Sequence, residues 1–302
     1  MPTETIFPNS EQEWLDLRTL DITSTDVSAL FGISPYCTEF EMWHRKKNRT
    51  LVDFKTNERV EWGKKLQDTI ALGVAQEQGW KVRRMDEYMR DPELRIGASF
   101  DFSIEGGNGI LEVKNVDSLQ FKRGWIENDD KSIEAPPHIE LQVQHQMAVS
   151  NRDYAFLAAF VGGNRVVLIR REPDLAVISA VKKRVAEFWK SIEDGIEPKP
   201  DYARDSAMIA KLYGYAEPGK VVEATASMET LAEGYLEINR KIKALETAKA
   251  EAKAKILIEL GSAEKAYSSG FTISAGMIGP CHVEYDRAGY RNFKVTPKNG
   301  GR

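Results

Sequence analysis

Hydrophobic residues along this chain change their spacing several times, and each change predicts an element. Trp14, Leu15 and Leu17 give a short apolar turn, and Thr23 or Ser24 caps a helix through Val27, Leu30 and Phe31 that ends at Gly32. After a turn at Ser34-Pro35-Tyr36, Thr38 caps a second helix whose end carries His44, Arg45, Lys46, Lys47 and Arg49. Val60, Leu66, Ile70 and Val74 form the apolar stripe of a helix over about Asn57–Gln78, stopped at Gly79. Strands follow at Trp80–Val82 and Glu87–Arg90, and period-two alternation over Ile96–Val116 predicts a β-hairpin turning at Gly106–Gly109. Leu119–Trp125 reads as a helix, and Pro136-Pro137 opens another that runs to Asn151. Strands Tyr154–Val161 and Arg165–Arg170, joined by a Gly-Gly-Asn turn, lead to a long amphipathic helix over roughly Leu175–Asp194.

This order predicts an α/β or α+β core, a central mixed β-sheet flanked by helices. Pro, Gly and polar residues across 195–220 mark a boundary, dividing the chain into residues 1–200 and a C-terminal extension, 201–302. In the extension Met228, Leu231, Tyr235, Ile238, Ile242 and Leu245 recur at alternating steps of three and four, resuming with Ala252 and Ile256 after the polar Lys249. That is a coiled-coil-like heptad seam over about 228–260, suited to packing within the chain or against a partner helix. A small β-like segment is expected beyond it, at Phe271–Ile278, Cys281–Tyr285 and Tyr290–Val295.

The 302 residues suffice for a sizeable core. A net charge of −4 does not advertise a nucleic-acid binder, although a local positive track is all that such a protein needs. Cys37 and Cys281 are far apart and form no metal-ligand spacing. The opening residues lack the pattern of a secretory leader and no long apolar run occurs, so a soluble cytoplasmic protein is expected, without membrane association.

The chemistry gathers on the predicted hairpin. Strand residues two apart share a face, so Glu112 and Lys114 point together, and folding about the turn brings Asp101 opposite them. Two carboxylates that close repel unless a cation sits between them, and an oxygen-lined pair suits Mg²⁺, with Mn²⁺ as a substitute. Lys114 beside them would support an attacking water, a constellation for metal-assisted phosphodiester hydrolysis. The same pattern also fits alternating charges on the wet face of an antiparallel strand. The basic end of the second helix likewise has two readings, cations at a helix C-terminus or a DNA-binding patch. On the helix opened by Pro137, Gln142, His145 and Gln146 share one face.

With these landmarks the chain resembles the lambda-type exonucleases, also called YqaJ-like viral recombinases, among the restriction-endonuclease-like, PD-(D/E)XK nucleases. The resemblance covers roughly residues 10–195 in ordered blocks: Trp14-x-x-x-Arg18 with Ile22-Thr23-x-Thr25, Trp62-Gly63, Ser99-x-Asp101, Gly107-Asn108-Gly109 with Glu112-x-Lys114, and Gln142-Val143-Gln144. It implies that Asp101 and Glu112 are metal ligands, that Lys114 is the catalytic lysine, and that the Val113 carbonyl and Gln142 belong to the same site. It implies further that Arg18, Thr25 and Ser99 bind a terminal 5′-phosphate, a hydroxyl at Thr25 standing where the family commonly has serine. Val60 matches an apolar residue that wedges between strands at the DNA end, with a core role as the alternative. Where the family often places a metal-binding Glu, four residues after Gly63, this chain has Gln67, which is either a neutral ligand or structural.

The function implied is a Mg²⁺-dependent 5′→3′ exonuclease that degrades one strand of linear double-stranded DNA. Its 3′ single-stranded tails would serve phage-type recombination through a single-strand annealing protein. Family members can form trimeric rings, so a homo-oligomer is implied as well. The alternatives are an endonuclease or single-strand-specific nuclease of the same fold, or a catalytically inactive protein that binds DNA ends or a partner.

Overall fold

The computed structural model describes residues 3–51, 58–287 and 289–297. Strand β1 (Glu4–Ile6) leads to α1 (Glu11–Leu20), β2 (Ile22–Thr23), α2 (Val27–Leu30) and α3 (Glu39–Lys47). Helix α4 (Glu58–Gln78) is followed by strands β3 (Val82–Arg84), β4 (Tyr88–Asp91), β5 (Ile96–Ser99), β6 (Phe102–Ile104) and β7 (Gly109–Val116). Next come α5 (Ser118–Gly124), β8 (Ile126–Glu127), β9 (Ile133–Glu134), α6 (Pro137–Ser150), β10 (Tyr154–Val161), β11 (Arg165–Arg171) and α7 (Leu175–Glu193). The chain ends with α8 (Ser206–Leu212), α9 (Ala226–Leu260), β12 (Lys265–Tyr267) and β13 (Thr272–Ser274). It forms two compact units, Met1–Met208 and Ile209–Arg302.

The first unit holds a five-stranded sheet in the order β11-β10-β7-β6-β3 and a four-stranded sheet in the order β1-β4-β5-β2. In the larger sheet β10 runs parallel to β7, while its other pairings are antiparallel. Parallel neighbours require a crossover, and α5 and α6 supply it. This is the mixed α/β architecture, a central mixed sheet flanked by helices, expected of the chain. Leu111 and Val113 face Ile70 and Val74 of α4 in one apolar cluster, and α6 packs with β5, α2 and α7 in another. Most of α6 is buried, including the polar side chains of Gln142, Gln144, His145 and Gln146. Residues 201–208 stay with this unit because Asp205 accepts a short hydrogen bond from Thr38 and Arg204 donates to the Ser34 carbonyl at 2.6 Å.

Three local expectations need correction. The segment around Trp14 is a full ten-residue helix, α1, rather than a turn, and Ser10 caps it by accepting from the Glu13 N–H. Its successor α2 begins after Asp26, not after Thr23 or Ser24, and Thr23 ends a short strand instead. The predicted hairpin is also not one continuous pair of strands. Its first arm breaks at Phe100–Asp101, β5 pairing with β4 and β2 in the smaller sheet and β6 with β7 in the larger. At the break the Asp101 Oδ2 accepts the Val113 N–H at 2.8 Å, a side-chain oxygen standing in for a backbone acceptor.

In the second unit α9 confirms one long helix over the heptad region, and its seam residues from Met228 to Leu245 are exposed. The strands after it differ from expectation. They form a hairpin of β12 and β13, whereas residues 281–285 and 290–295 are irregular. Arg291 donates to the Tyr213 carbonyl at 2.9 Å and the Phe293 ring meets Tyr235 edge-on, so side chains rather than a strand ladder tie this part down. Among the described residues no helix is long and apolar enough to cross a membrane.

Candidate active site

Strand alternation sets the first group of side chains. With Leu111 and Val113 turned into the core on α4, Glu112 and Lys114 turn toward α6. This is no wet face: Glu112 is only 4% exposed. Its Oε1 accepts from Lys114 Nζ and from Gln142 Nε2, both at 2.6 Å, and its Oε2 accepts from Gln146 Nε2 at 2.7 Å. Asp101 lies beside it, bonded to the Val113 N–H and to the Gln67 side chain. Burial, reinforced by the neighbouring Glu112 carboxylate, pushes Asp101 up to about 7 in spite of Lys114 and its two hydrogen bonds. Burial opposes the charge on Lys114, but Glu112 and Asp101 outweigh it and hold the ammonium above its ordinary value.

A second group comes from α1, β2 and β5. Arg18 Nη2 donates to Thr25 Oγ1 at 2.9 Å and to Thr23 Oγ1 at 3.4 Å, and its guanidinium lies 4.6 Å from the centre of the Trp14 ring. Trp14 Nε1 in turn donates to Ser99 Oγ at 2.8 Å. Arg18, Thr25 and Ser99, far apart in sequence, are thus gathered around one indole. Gln146 Nε2 links the two groups, since it also donates to the Ser99 carbonyl at 3.1 Å.

Under the second group lies a buried ion pair. Lys46 Nζ donates to the carbonyls of Arg18 and Asp21, each at 2.6 Å, and to Asp26 Oδ2 at 2.7 Å. Burial alone would raise Asp26, but Lys46 and Arg18 hold its carboxyl well below the usual range. The basic end of α3 is divided: part of it is internal, while Lys47 and Arg49 remain exposed. Lys46 and His44 are buried and Lys47 packs on the Trp43 ring at 4.3 Å.

A cleft of about 730 Å³ opens here, lined among others by Trp14, Lys64, Gln67, Arg84, Ser99 and Asp101. Val60 is not among its lining residues and is 43% exposed near the start of α4, which removes the core alternative for it. His145 is structural: its Nε2 donates to the Gly97 carbonyl at 3.0 Å, and burial pushes the imidazole down to about 4, neutral at pH 7. Gly97 must be glycine, because a Cβ there would fall 2.1 Å from the Tyr88 hydroxyl. Two residues carry more than the sequence revealed. Gln146 was visible only as a neighbour of Gln142 on one helix face, and Lys46 only as one cation in a run.

The donor set fits a divalent ion of the magnesium type. Among the described residues no three His, Cys, Asp or Glu side chains converge as a metal cluster. The site instead offers two crowded carboxylates, Asp101 and Glu112, with the neutral amides of Gln67 and Gln142. A hard cation with oxygen ligands that keeps several waters matches such a sparse set.

The YqaJ-like viral recombinase domain model matches residues 13–153. The protein YqaJ of Bacillus subtilis (strain 168) is 30% identical over 276 residues, covering 89% of this chain and 85% of that one. Among solved structures, the alkaline exonuclease LHK-Exo of Laribacter hongkongensis is similar at 19% identity and a TM-score of 0.49, over 66% of this chain and all of that one. A putative exonuclease from Eubacterium rectale is similar at 9% identity and a TM-score of 0.48, over 74% of this chain and 98% of that one. The ordered blocks from Trp14 to Gln144, the family model over that same stretch and the likeness to YqaJ over 89% of the chain agree: the chain belongs to the YqaJ-like viral recombinase family.

Proposed function

We propose that this protein is a Mg²⁺-dependent 5′→3′ exonuclease acting on the ends of linear double-stranded DNA and leaving 3′ single-stranded tails. The observation that carries the reading is the coupling of two groups through Gln146: a carboxylate pair with its lysine on one side, and Arg18, Thr25 and Ser99 on the other. A planar guanidinium between hydroxyls suits a terminal phosphate, whose adjoining phosphodiester would then lie toward Asp101 and Glu112.

Asp101 and Glu112, with Gln67, Gln142 and the Val113 carbonyl, would hold the ion, which supplies the positive charge that lets a phosphodiester accept a water nucleophile. Lys114 keeps donors free beyond its bond to Glu112 and orients that water. Gln142 and Gln146 fix both oxygens of Glu112, so the carboxylate need not reorganise during the reaction. Val60 on the exposed face of α4 would part the strands at the end. A homo-oligomeric ring and an annealing protein that receives the 3′ tails belong to the same reading.

The test is digestion of linear duplex labelled at either its 5′ or its 3′ end, beside a closed circular duplex, with Mg²⁺ and with chelator. The expected result is loss of the 5′ label first, an intact circle, and no cleavage in chelator. Cutting of the circle would replace the reading with an endonuclease, and absence of any cleavage with a DNA-end or partner-binding protein.

A further inference from the structure

His138, Gln142 and Gln146 recur every four residues along α6. Residues at that spacing stack along one helix face, and the latter two hold Glu112. His138 therefore continues the row one turn, roughly 5.4 Å, past Gln142 toward the start of α6. Its ring is met edge-on by Tyr36, with centroids 5.9 Å apart and planes at 84°. Both side chains lie within electrostatic reach of the Lys114 ammonium.

Tyr36 is 81% exposed. One exposed aromatic residue is ordinary in itself, but this one stands on a turn that is fixed from several sides. Ser34 Oγ accepts from the N–H groups of Tyr36 at 3.2 Å and Cys37 at 3.3 Å, and the Ser34 carbonyl accepts from Arg204 at 2.6 Å. Pro35 locks its own φ between them. The backbone is anchored while the ring faces water, supported along one edge by a histidine that burial and Lys114 keep below the ordinary pKa. The neutral imidazole braces the phenol ring and leaves a face of it open.

We infer that Tyr36, braced by His138, is a stacking platform for a nucleobase adjoining the scissile phosphate in the strand being cut. The inference rests on the nuclease reading and adds a base-binding subsite to it. Every base has a π-face, so the platform accepts all sequences, as an enzyme that degrades DNA from its ends requires. An aromatic ring already held in place loses little freedom when a base settles on it.

The test uses 5′-phosphorylated duplexes carrying 2-aminopurine at successive positions from the 5′ end of one strand, bound to full-length protein with Ca²⁺ replacing Mg²⁺. Stacking quenches this base, so wild type is expected to quench it at one position. Tyr36→Ala should restore the fluorescence at that position and weaken binding about 5- to 150-fold. Tyr36→Phe should keep both the quench and the affinity, and His138→Ala should lose part of the quench. Quenching that survives in Tyr36→Ala, or that is lost equally in Tyr36→Phe, overturns the platform, as does wild type that binds the duplex without quenching any position. Wild type that neither binds these duplexes nor degrades them with Mg²⁺ overturns the nuclease reading itself, a different and separately readable result.

Discussion

Two buried ionic groups in this fold share a residue inventory and differ in their balance. In one, Asp26 faces Lys46, and the three acceptors around Lys46 Nζ match its three donors. In the other, Asp101 and Glu112 share the cation of Lys114, and burial together with the Glu112 carboxylate drives Asp101 upward in spite of it. The first is closed: one acid, one base, every donor used. The second carries surplus negative charge beside an open cleft. Burial of charge does not by itself mark a site, and a strained surplus next to solvent does.

The largest effect that separates the two should appear in turnover. Lys114→Ala is expected to lower DNA cleavage about 100- to 10,000-fold, with a smaller fall in melting than the Lys46 variant, because Gln142 and Gln146 still hold the Glu112 carboxylate. Lys46→Met should do the reverse. Removing one partner of a buried pair costs about 3–5 kcal/mol, read as a lower denaturation midpoint, and the backbone of Arg18 loses its tether. If Lys46→Met melts like wild type, the contrast between a structural and a catalytic cluster is wrong.

A smaller effect should follow from the contact between the two groups and the DNA end. Charge-assisted hydrogen bonds contribute about 1.5–3 kcal/mol each, so wild type should degrade 5′-phosphorylated duplex roughly 10- to 100-fold faster than the 5′-hydroxyl form. Arg18→Ala should erase most of that ratio in initial rates. Equal rates on both substrates for wild type would leave Arg18 a purely structural partner of Thr25.

The finest distinction is in the pH dependence of stability without divalent ions. Asp101 is raised from an ordinary 3.8 to about 7, so the folded state holds a proton that the unfolded chain has released between those values. Its contribution is fullest below about 3.8 and is lost as pH rises toward 7. Asp26 is depressed, so its contribution is present above the ordinary value and is lost as pH falls below it. Calorimetry in chelator should show Asp101→Asn flattening the decline in melting temperature between about pH 4 and 7, and Asp26→Asn leaving that decline in place. A decline unchanged by Asp101→Asn would mean that the carboxylate pair is not strained.

Much of this could be read along the chain because caps, turns and periods are local. Thr38, Pro137 and Gly79 stand where helices start or stop. The break between β5 and β6 was invisible because apolar residues at 96, 98, 100, 102 and 104 keep period two across it while the chain changes sheets. Helix α1 was hidden by its sparse stripe, yet Ser10-x-x-Glu13 is a capping-box signature that marks its start. In the site, Asp101, Glu112 and Lys114 meet through hairpin register, which a sequence displays. The roles of Lys46 and Gln146 depend on carbonyls and carboxylates brought from elsewhere in the chain, and no local pattern encodes those.

Helix α6 makes the unit unequally tolerant of change. Its side chains reach Gly97 and Ser99 of one sheet and Glu112 of the other from positions fixed by helical phase. A substitution at one position loses only the bonds of that side chain, two at Gln146 and one at Gln142 or His145. A residue inserted between Gln142 and Gln146 would turn the two ends of the helix by about 100° relative to each other, so that only one of them could still face Glu112. Among relatives that keep this arrangement, the span from His138 to Gln146 should vary in identity and never in length, whereas the turn at Gly162–Asn164 lies outside that phase and is free to grow or shrink.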